Sequence, residues 1–184
     1  MALIAREWMG SRHGATTSFD DLFLREYGRV VAVAQRVLGD SAEAEDVAQD
    51  VFCSFYGKHP PDAPYAAAWL HRAASHTALN VVRGRRRRQQ REAGEALAEA
   101  RSGALQPESL DPLHSLERAE ERREVRAALA RLPEKSAAIL ALRYSGLSYT
   151  EVATALGVNT NQIGTLLRRA EAALRKEMHD ETPS

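Results

Sequence analysis

Apolar residues recur at intervals of three and four along most of the chain and show no sustained one-by-one alternation, so the pattern predicts helices and no strands. The first clear face runs Phe19, Leu22, Phe23, Tyr27, Val30, Val31, Ala34, Val37 and Leu38, and Gly39 supplies a stop. Asp40 and Ser41 lead into a second helix, roughly Ala42 to Tyr56, that turns Ala44, Val47, Ala48, Val51, Phe52 and Phe55 inward. Its other faces carry Glu43, Glu45, Asp46, Gln49 and Asp50. Such an acidic surface is either solvated or a docking site for a basic partner, and periodicity alone does not choose. GKHPPDAP, from Gly57 to Pro64, is a loop, because three prolines remove donors and fix the backbone. A third helix, Tyr65 to Arg83, carries Trp69, Leu70, Ala73, Ala74, Thr77, Ala78, Val81 and Val82 at helical spacing. It bears only basic charge and runs into Arg85, Arg86, Arg87, Arg88 and Arg91.

From Glu92 to Pro112 the composition shifts to Ala, Glu, Gly, Ser and Pro, with little that could form a core, and this stretch reads as a linker. Helical patterning resumes at Leu113, with Leu116, Val125, Leu129 and Leu132 before Pro133 and Ala137, Ile139, Leu140 and Leu142 after it. Pro133 breaks one helix and sits near the start of the next. LSYTEVATALGVNTNQIGTLLRRAEAALRK, from Leu147, then reads as two helices around a tight turn. Ser148 with Glu151 is a capping box that starts the first near Tyr149; Val152, Ala153 and Leu156 share a face, and Gly157 ends it. Asn159 and Gln162 repeat the cap logic for the second, where Ile163, Leu166, Leu167 and Ala170 recur, although Gly164 is expected to loosen it. The fold class is therefore all-α, with two small helical domains at 19–91 and 113–178. A loose, disordered extension at 1–18, a flexible linker at 92–112 and a polar tail at 179–184 complete the chain.

A length of 184 residues allows two modest cores without disulfides. Twenty-five basic residues balance twenty-five acidic ones, so bulk charge says nothing about a polyanionic partner and only its distribution can. The single cysteine, Cys53, excludes an internal disulfide and a cysteine zinc cluster, and its place among apolar positions reads as a small core residue rather than a nucleophile. His71 and His76 stand five apart, which is poor spacing for a shared metal, and read as solvated or nucleic-acid-facing. No Gly-rich phosphate loop occurs, so neither enzyme activity nor a cofactor or metal is expected. The apolar opening MALIAREWMG is too short for a signal peptide or a membrane span, which points to the cytoplasm with no membrane insertion.

The paired helices from Leu147 fit a helix-turn-helix: Ala153 suits a close crossing and Gly157 a sharp turn. In such a unit Thr160, Asn161, Gln162 and Thr165 face base edges in the major groove, while Arg168, Arg169, Arg175 and Lys176 meet phosphates. Asn and Gln can each bind adenine through two hydrogen bonds, but both are also common at helix starts. A helical hairpin with a solvated basic face shows much of the same pattern; the paired caps with Ala153 and Gly157 favour DNA. The arginine run after Val82 is suited to neutralising phosphates, with an exposed basic helix end as the plainer alternative.

Laid out together, the two halves resemble a bacterial extracytoplasmic-function sigma factor, the minimal kind with two helical domains and a linker. FDDLFLREYGRVVAVAQRVLGDSAEAEDVAQDVFCSFY is similar to regions 2.1 and 2.2 of that family, PYAAAWLHRAASHTALNVVRGRRRR to regions 2.3 and 2.4, and LARLPEKSAAILALRYSGLSYTEVATALGVNTNQIGTLLRRAEAALRKE to region 4. The resemblance implies that Asp46, Gln49 and Asp50 dock on the β′ clamp helices of core RNA polymerase, with the β flap as a second contact. It implies that the Pro-rich loop and basic helix handle the minus-ten element of promoter DNA, with His59, Tyr65, His76, Asn80, Arg83, Arg86, Arg87 and Arg88 as the residues that serve it. Backbone charge and stacking partners are what a melted strand needs, and Trp69 is read as core packing rather than as one of those partners. Where the family commonly has Asn followed four residues on by Asp, this chain has His76 and Asn80. The recognition helix is assigned to the minus-thirty-five element, and an anti-sigma factor covering both domains is a further partner the family admits. The rival reading is a stand-alone helix-turn-helix regulator with an N-terminal sensing domain, which would footprint its operator without polymerase.

Overall fold

The computed structural model describes residues 18–96 and 112–179, with side chains placed at 18–91 and 121–179. Regular structure among them is entirely helical: α1 Phe19–Leu38, α2 Ser41–Tyr56, α3 Ala66–Ala96, α4 Pro112–Arg131, α5 Glu134–Tyr144, α6 Tyr149–Leu156 and α7 Thr160–His179. The expected disorder of the N-terminal arm, the centre of the linker and the extreme tail lie outside the described residues. Among the described residues no helix is long and apolar enough to cross a membrane.

Ser18 belongs to α1 rather than to a loose arm. Its Oγ accepts from the Asp20 N–H and its own N–H donates to the Asp21 carboxylate, each at 3.0 Å, closing a capping box. Gly39 ends α1 at φ +76°, with its N–H on the Gln35 carbonyl at 2.8 Å. The Asp40 carboxylate then takes the Glu43 N–H at 2.9 Å, so a two-residue joint folds α2 back along α1. Leu22, Val30, Val33 and Val37 meet Val47, Val51, Phe52 and Phe55 in a dry seam. Across it lies α3, whose Leu70, Ala74, Ala78 and Leu79 close the core; the small alanines let the helices approach. Helix α3 continues over residues 92–96, into the stretch read as linker.

In the second half Pro133 stands between α4 and α5, where it cannot continue the first helix and leads into the second. The capping box of α6 forms as its spacing predicts: the Ser148 Oγ accepts from the Glu151 N–H at 3.3 Å and the Glu151 carboxylate accepts from the Ser148 N–H at 2.8 Å. That backbone bond, with help from Arg29, lowers the Glu151 carboxyl to about 2. Gly157 takes the left-handed turn at φ +65°. Gly164 does not interrupt α7, which is unbroken, and a Cβ there would make only ordinary contact with the Tyr149 ring, 3.9 Å away. His179 is the last residue of α7 rather than part of the tail, its Nδ1 on the Arg175 carbonyl at 2.7 Å.

The two domains touch, which no feature of the periodicity signals. Arg29 Nη2 lies 2.5 Å from Glu151 Oε1, Arg83 donates to the carbonyls of Ala130 and Leu132 at 3.4 and 3.0 Å, and the Arg36 guanidinium stands 5.6 Å from the Tyr144 ring centre. Buried apolar residues of both halves form one continuous cluster.

Candidate nucleic-acid interface

On α2 the inward face is occupied by Val47, Val51 and Phe55, which leaves Asp46, Gln49 and Asp50 exposed on one stripe. Cys53, three and four positions beyond Asp50 and Gln49, continues that stripe and is exposed, so the expectation of a core cysteine fails on helical phase. Gln49 is tied to the Tyr27 hydroxyl, whose pKa is raised mainly by burial and then by Glu45, against the opposing pull of that hydrogen bond. Glu43, in the first turn of the helix, pairs with Arg85 and so engages one arginine of the run after Val82.

The Pro-rich loop is ordered by its own backbone. The N–H groups of Lys58 and His59 both return to the Phe55 carbonyl, that of Ala63 to Pro60, and that of Ala66 to Ala63. These turns bring four rings together: His59 lies 5.2 Å from Phe55, 4.9 Å from Trp69 and 5.7 Å from Tyr65, centre to centre. Phe55 and Trp69 anchor the group from below, 5.5 Å apart, while Tyr65 is 46% exposed at its edge. Trp69 packs on the core as expected and also supports the His59 ring.

One turn after another along α3, His76, Asn80 and Arg83 share a face. The Asn80 Nδ2 donates to His76 Nδ1 at 3.2 Å, which leaves His76 Nε2 as the donor that faces Glu134 Oε1 at 3.5 Å. Arg86 is half-exposed and Arg87 and Arg88 lie beyond it along the same helix. His71 is not at this surface. It is 1% exposed, its Nε2 is 3.0 Å from Glu26 Oε2, and burial lowers its pKa against the opposing pull of Glu26. Arg25 and Arg29 reach the same carboxylate at 3.1 and 3.6 Å. The signal for Glu26 lies in the sequence: it stands four residues after Leu22 and four before Val30, a charge on an apolar face.

In the second domain Thr160, Asn161, Gln162, Thr165, Arg168 and Arg169 are all exposed on α7. The Asn159 Oδ1 accepts from the Asn161 N–H at 2.9 Å, so Asn159 serves as the cap and leaves the Asn161 and Gln162 side chains facing solvent. Asn161, Gln162, Thr165 and Arg169 border a groove between α5 and α7 floored by Ile139, Leu156, Val158 and Leu166. Two exposed basic and polar surfaces and one acidic stripe therefore sit on three different helices.

The Sigma-70 region 2 family model matches residues 22–88, and the Sigma-70, region 4 model matches residues 122–174. The chain is 32% identical to the RNA polymerase sigma-H factor of Pseudomonas aeruginosa, over 91% of this chain and 89% of that protein. It is 30% identical to the ECF RNA polymerase sigma factor SigK of Mycobacterium sp. strain KMS, over 82% and 78%, and 29% identical to the RNA polymerase sigma factor CarQ of Myxococcus xanthus, over 90% and 91%. In fold it is similar to CnrH, solved in complex with the cytosolic domain of CnrY, with a TM-score of 0.52, 20% identity and 89% of each chain covered. With the two matched regions falling in order on the two helical domains, this chain belongs to the extracytoplasmic-function family of RNA polymerase sigma factors.

Proposed function

We propose that this sigma factor divides promoter recognition between its domains while α2 holds it on the polymerase. Asp46, Gln49 and Asp50 meet the basic clamp helices of β′, and the β flap engages the second domain. The recognition helix α7 reads the minus-thirty-five duplex with Thr160, Asn161, Gln162 and Thr165, and Arg168 and Arg169 grip its phosphates. In the first domain His59 and Tyr65 stack on bases of the melted minus-ten strand, His76 and Asn80 offer polar contacts, and Arg83, Arg86, Arg87 and Arg88 follow its backbone. The chain itself makes and breaks no bond; it acts in the cytoplasm, where the polymerase is. An anti-sigma factor that covers both domains is the regulator this arrangement suits.

The observation that carries this reading is the separation of one acidic stripe from two basic, polar surfaces, each on its own helix. Transcription in vitro from a promoter library, with core polymerase plus this chain, tests it. Specific transcripts that need both components are expected, whereas protection of a site by the chain alone would favour a stand-alone regulator. Asp46→Ala should weaken holoenzyme assembly about five- to tenfold, as for removal of a charged interface group worth roughly 1 kcal/mol or a little more, measured by competition for core. Equal affinity would place the docking surface elsewhere. Replacing Arg86, Arg87 and Arg88 by alanine should flatten the salt dependence of promoter binding, the log–log slope falling by about 0.7 for each single-strand phosphate that is no longer neutralised. An unchanged slope would show that this cluster faces away from the phosphates.

A further inference from the structure

We propose that an aromatic ledge at the start of α1 is the seat of the chain's own N-terminal segment, residues 1–17, which there shields the polymerase-docking stripe of α2. Phe19, Phe23 and Tyr27 stand one turn after another along α1 and are each half-buried. Phe52 lies buried among them, and Tyr56, 51% exposed, closes the end of the row. Ring centres are 4.8 Å apart for Phe19 and Tyr56, 6.3 Å for Phe19 and Phe23 and 4.7 Å for Phe23 and Tyr27, so the row is one contiguous apolar surface. Surface of that kind marks an interaction site. It also runs into the acidic stripe: the Tyr27 hydroxyl is tied to Gln49, and Cys53 stands on α2 between Gln49 and Tyr56. For what it shields, the inference rests on the docking role proposed for Asp46, Gln49 and Asp50.

The occupant is identified by where the chain enters and by what it carries. Ser18 caps α1 and Phe19 is the first ring of the ledge, so residues 1–17 arrive at the ledge itself. Leu3, Ile4, Trp8 and Met9 supply apolar side chains, and a row of rings set edge-on and stacked is a fitting surface for an indole. Charge agrees. The segment holds Arg6 and Arg12 against one acid, Glu7, whereas Glu45, Asp46 and Asp50 are exposed on α2. Length agrees too: the ten residues from Trp8 to Ser18 span up to about 30 Å when extended, while Phe19 to Tyr27 is a helical rise of about 12 Å, so Trp8 reaches any ring in the row. Attachment at Ser18 keeps the segment at high local concentration, and weak contacts are then enough to hold it. Lying on Tyr56, it covers Cys53 one turn away and brings its arginines to the carboxylates that the polymerase would take.

Cys53 is the chain's single cysteine and is exposed on α2, so the rate of its alkylation by N-ethylmaleimide in the free chain reads the cover. Trp8→Ala and Ile4→Ser each remove an apolar anchor without changing net charge, so a faster reaction reports access to the thiol rather than a new field around it. Both variants are expected to react about threefold faster or more than the parent. Assembly with core polymerase, read by competition, should tighten by the same factor, because apparent affinity scales with the fraction of chains whose α2 is open. An unchanged alkylation rate in both variants overturns the seat. Protection that fades as the parent is diluted overturns it as well, by placing a second copy of the chain on the ledge. Faster alkylation with no gain in assembly, where Asp46→Ala still weakens it, overturns the shielding. If Asp46→Ala leaves assembly untouched, the docking role of α2 falls, and the seat is decided by the Cys53 rate alone.

Discussion

Phe55→Ala is expected to lower the unfolding free energy by about 4 kcal/mol, as large aromatic truncations in dry cores do. Phe55 is wholly buried at the C-terminal end of α2 and is one of the largest side chains in the core. It also lies beneath His59 and beside Trp69, so the loss of its ring removes the floor of the aromatic group as well as core volume. Urea unfolding followed by circular dichroism should show the midpoint falling with little change in slope. Phe55→Leu fills much of the space and should lose considerably less. If the alanine variant unfolded within about 1 kcal/mol of the parent, the packing at this junction would be loose and the support assigned to His59 would go with it.

Glu26→Ala is expected to remove about 3 kcal/mol, by a different route. Glu26 is 3% exposed; its carboxylate accepts from His71 and Arg25 and forms an ion pair with Arg29, and without it the buried imidazole N–H has no acceptor and α1 loses the group that orients two arginines. Glu26→Gln keeps an acceptor for His71 and should lose less, a comparison that separates the hydrogen bond from the charge. His71 also sets a pH dependence. Burial holds its pKa below 6.5, so as pH falls through 6.5 the unfolded chain takes up a proton that the folded chain refuses, and stability declines. Above 6.5 the imidazole is neutral in both states and contributes no slope. His71→Leu should remove the part of the decline that begins at 6.5 and leave the part that Glu151 adds below 4.5, and a variant with the parent's profile would place the responsible group elsewhere.

The elements themselves are open to reading from sequence because their ends carry local chemistry. Gly39, Ser148 with Glu151, and Gly157 act through bonds within a few residues, and each forms where its spacing predicts. Ser18 with Asp21 carries the same spacing as Ser148 with Glu151, so this cap is legible too, although reading 1–18 as a loose extension passes over it. Side-chain placement is harder wherever it depends on a second helix. Cys53 sits between buried Phe52 and Phe55 in sequence, yet one residue of helical rotation moves it to the outer stripe. His71 reads as a surface residue because its own helix shows only a polar residue beside Leu70; its burial depends on Glu26, forty-five residues earlier. Contact between the domains is longer in range still: Arg29 and Glu151 lie 122 residues apart, and neither breaks the pattern of its own helix. Residue types on α2, α3 and α7 are enough to nominate surfaces, but they hold no information about which of those surfaces another part of the chain covers.

The loop between α2 and α3 has a thermodynamic consequence for whatever its rings receive. Pro60, Pro61 and Pro64 restrict the unfolded segment, and the backbone bonds from Lys58, His59, Ala63 and Ala66 restrict the folded one, so the segment is preorganised. A base stacking on His59 and Tyr65 would immobilise few additional torsions in the protein. The entropy lost on capture would then fall chiefly on the nucleic acid, and a glycine in place of Pro61 should slow strand capture through disorder of the loop even where every ring is retained.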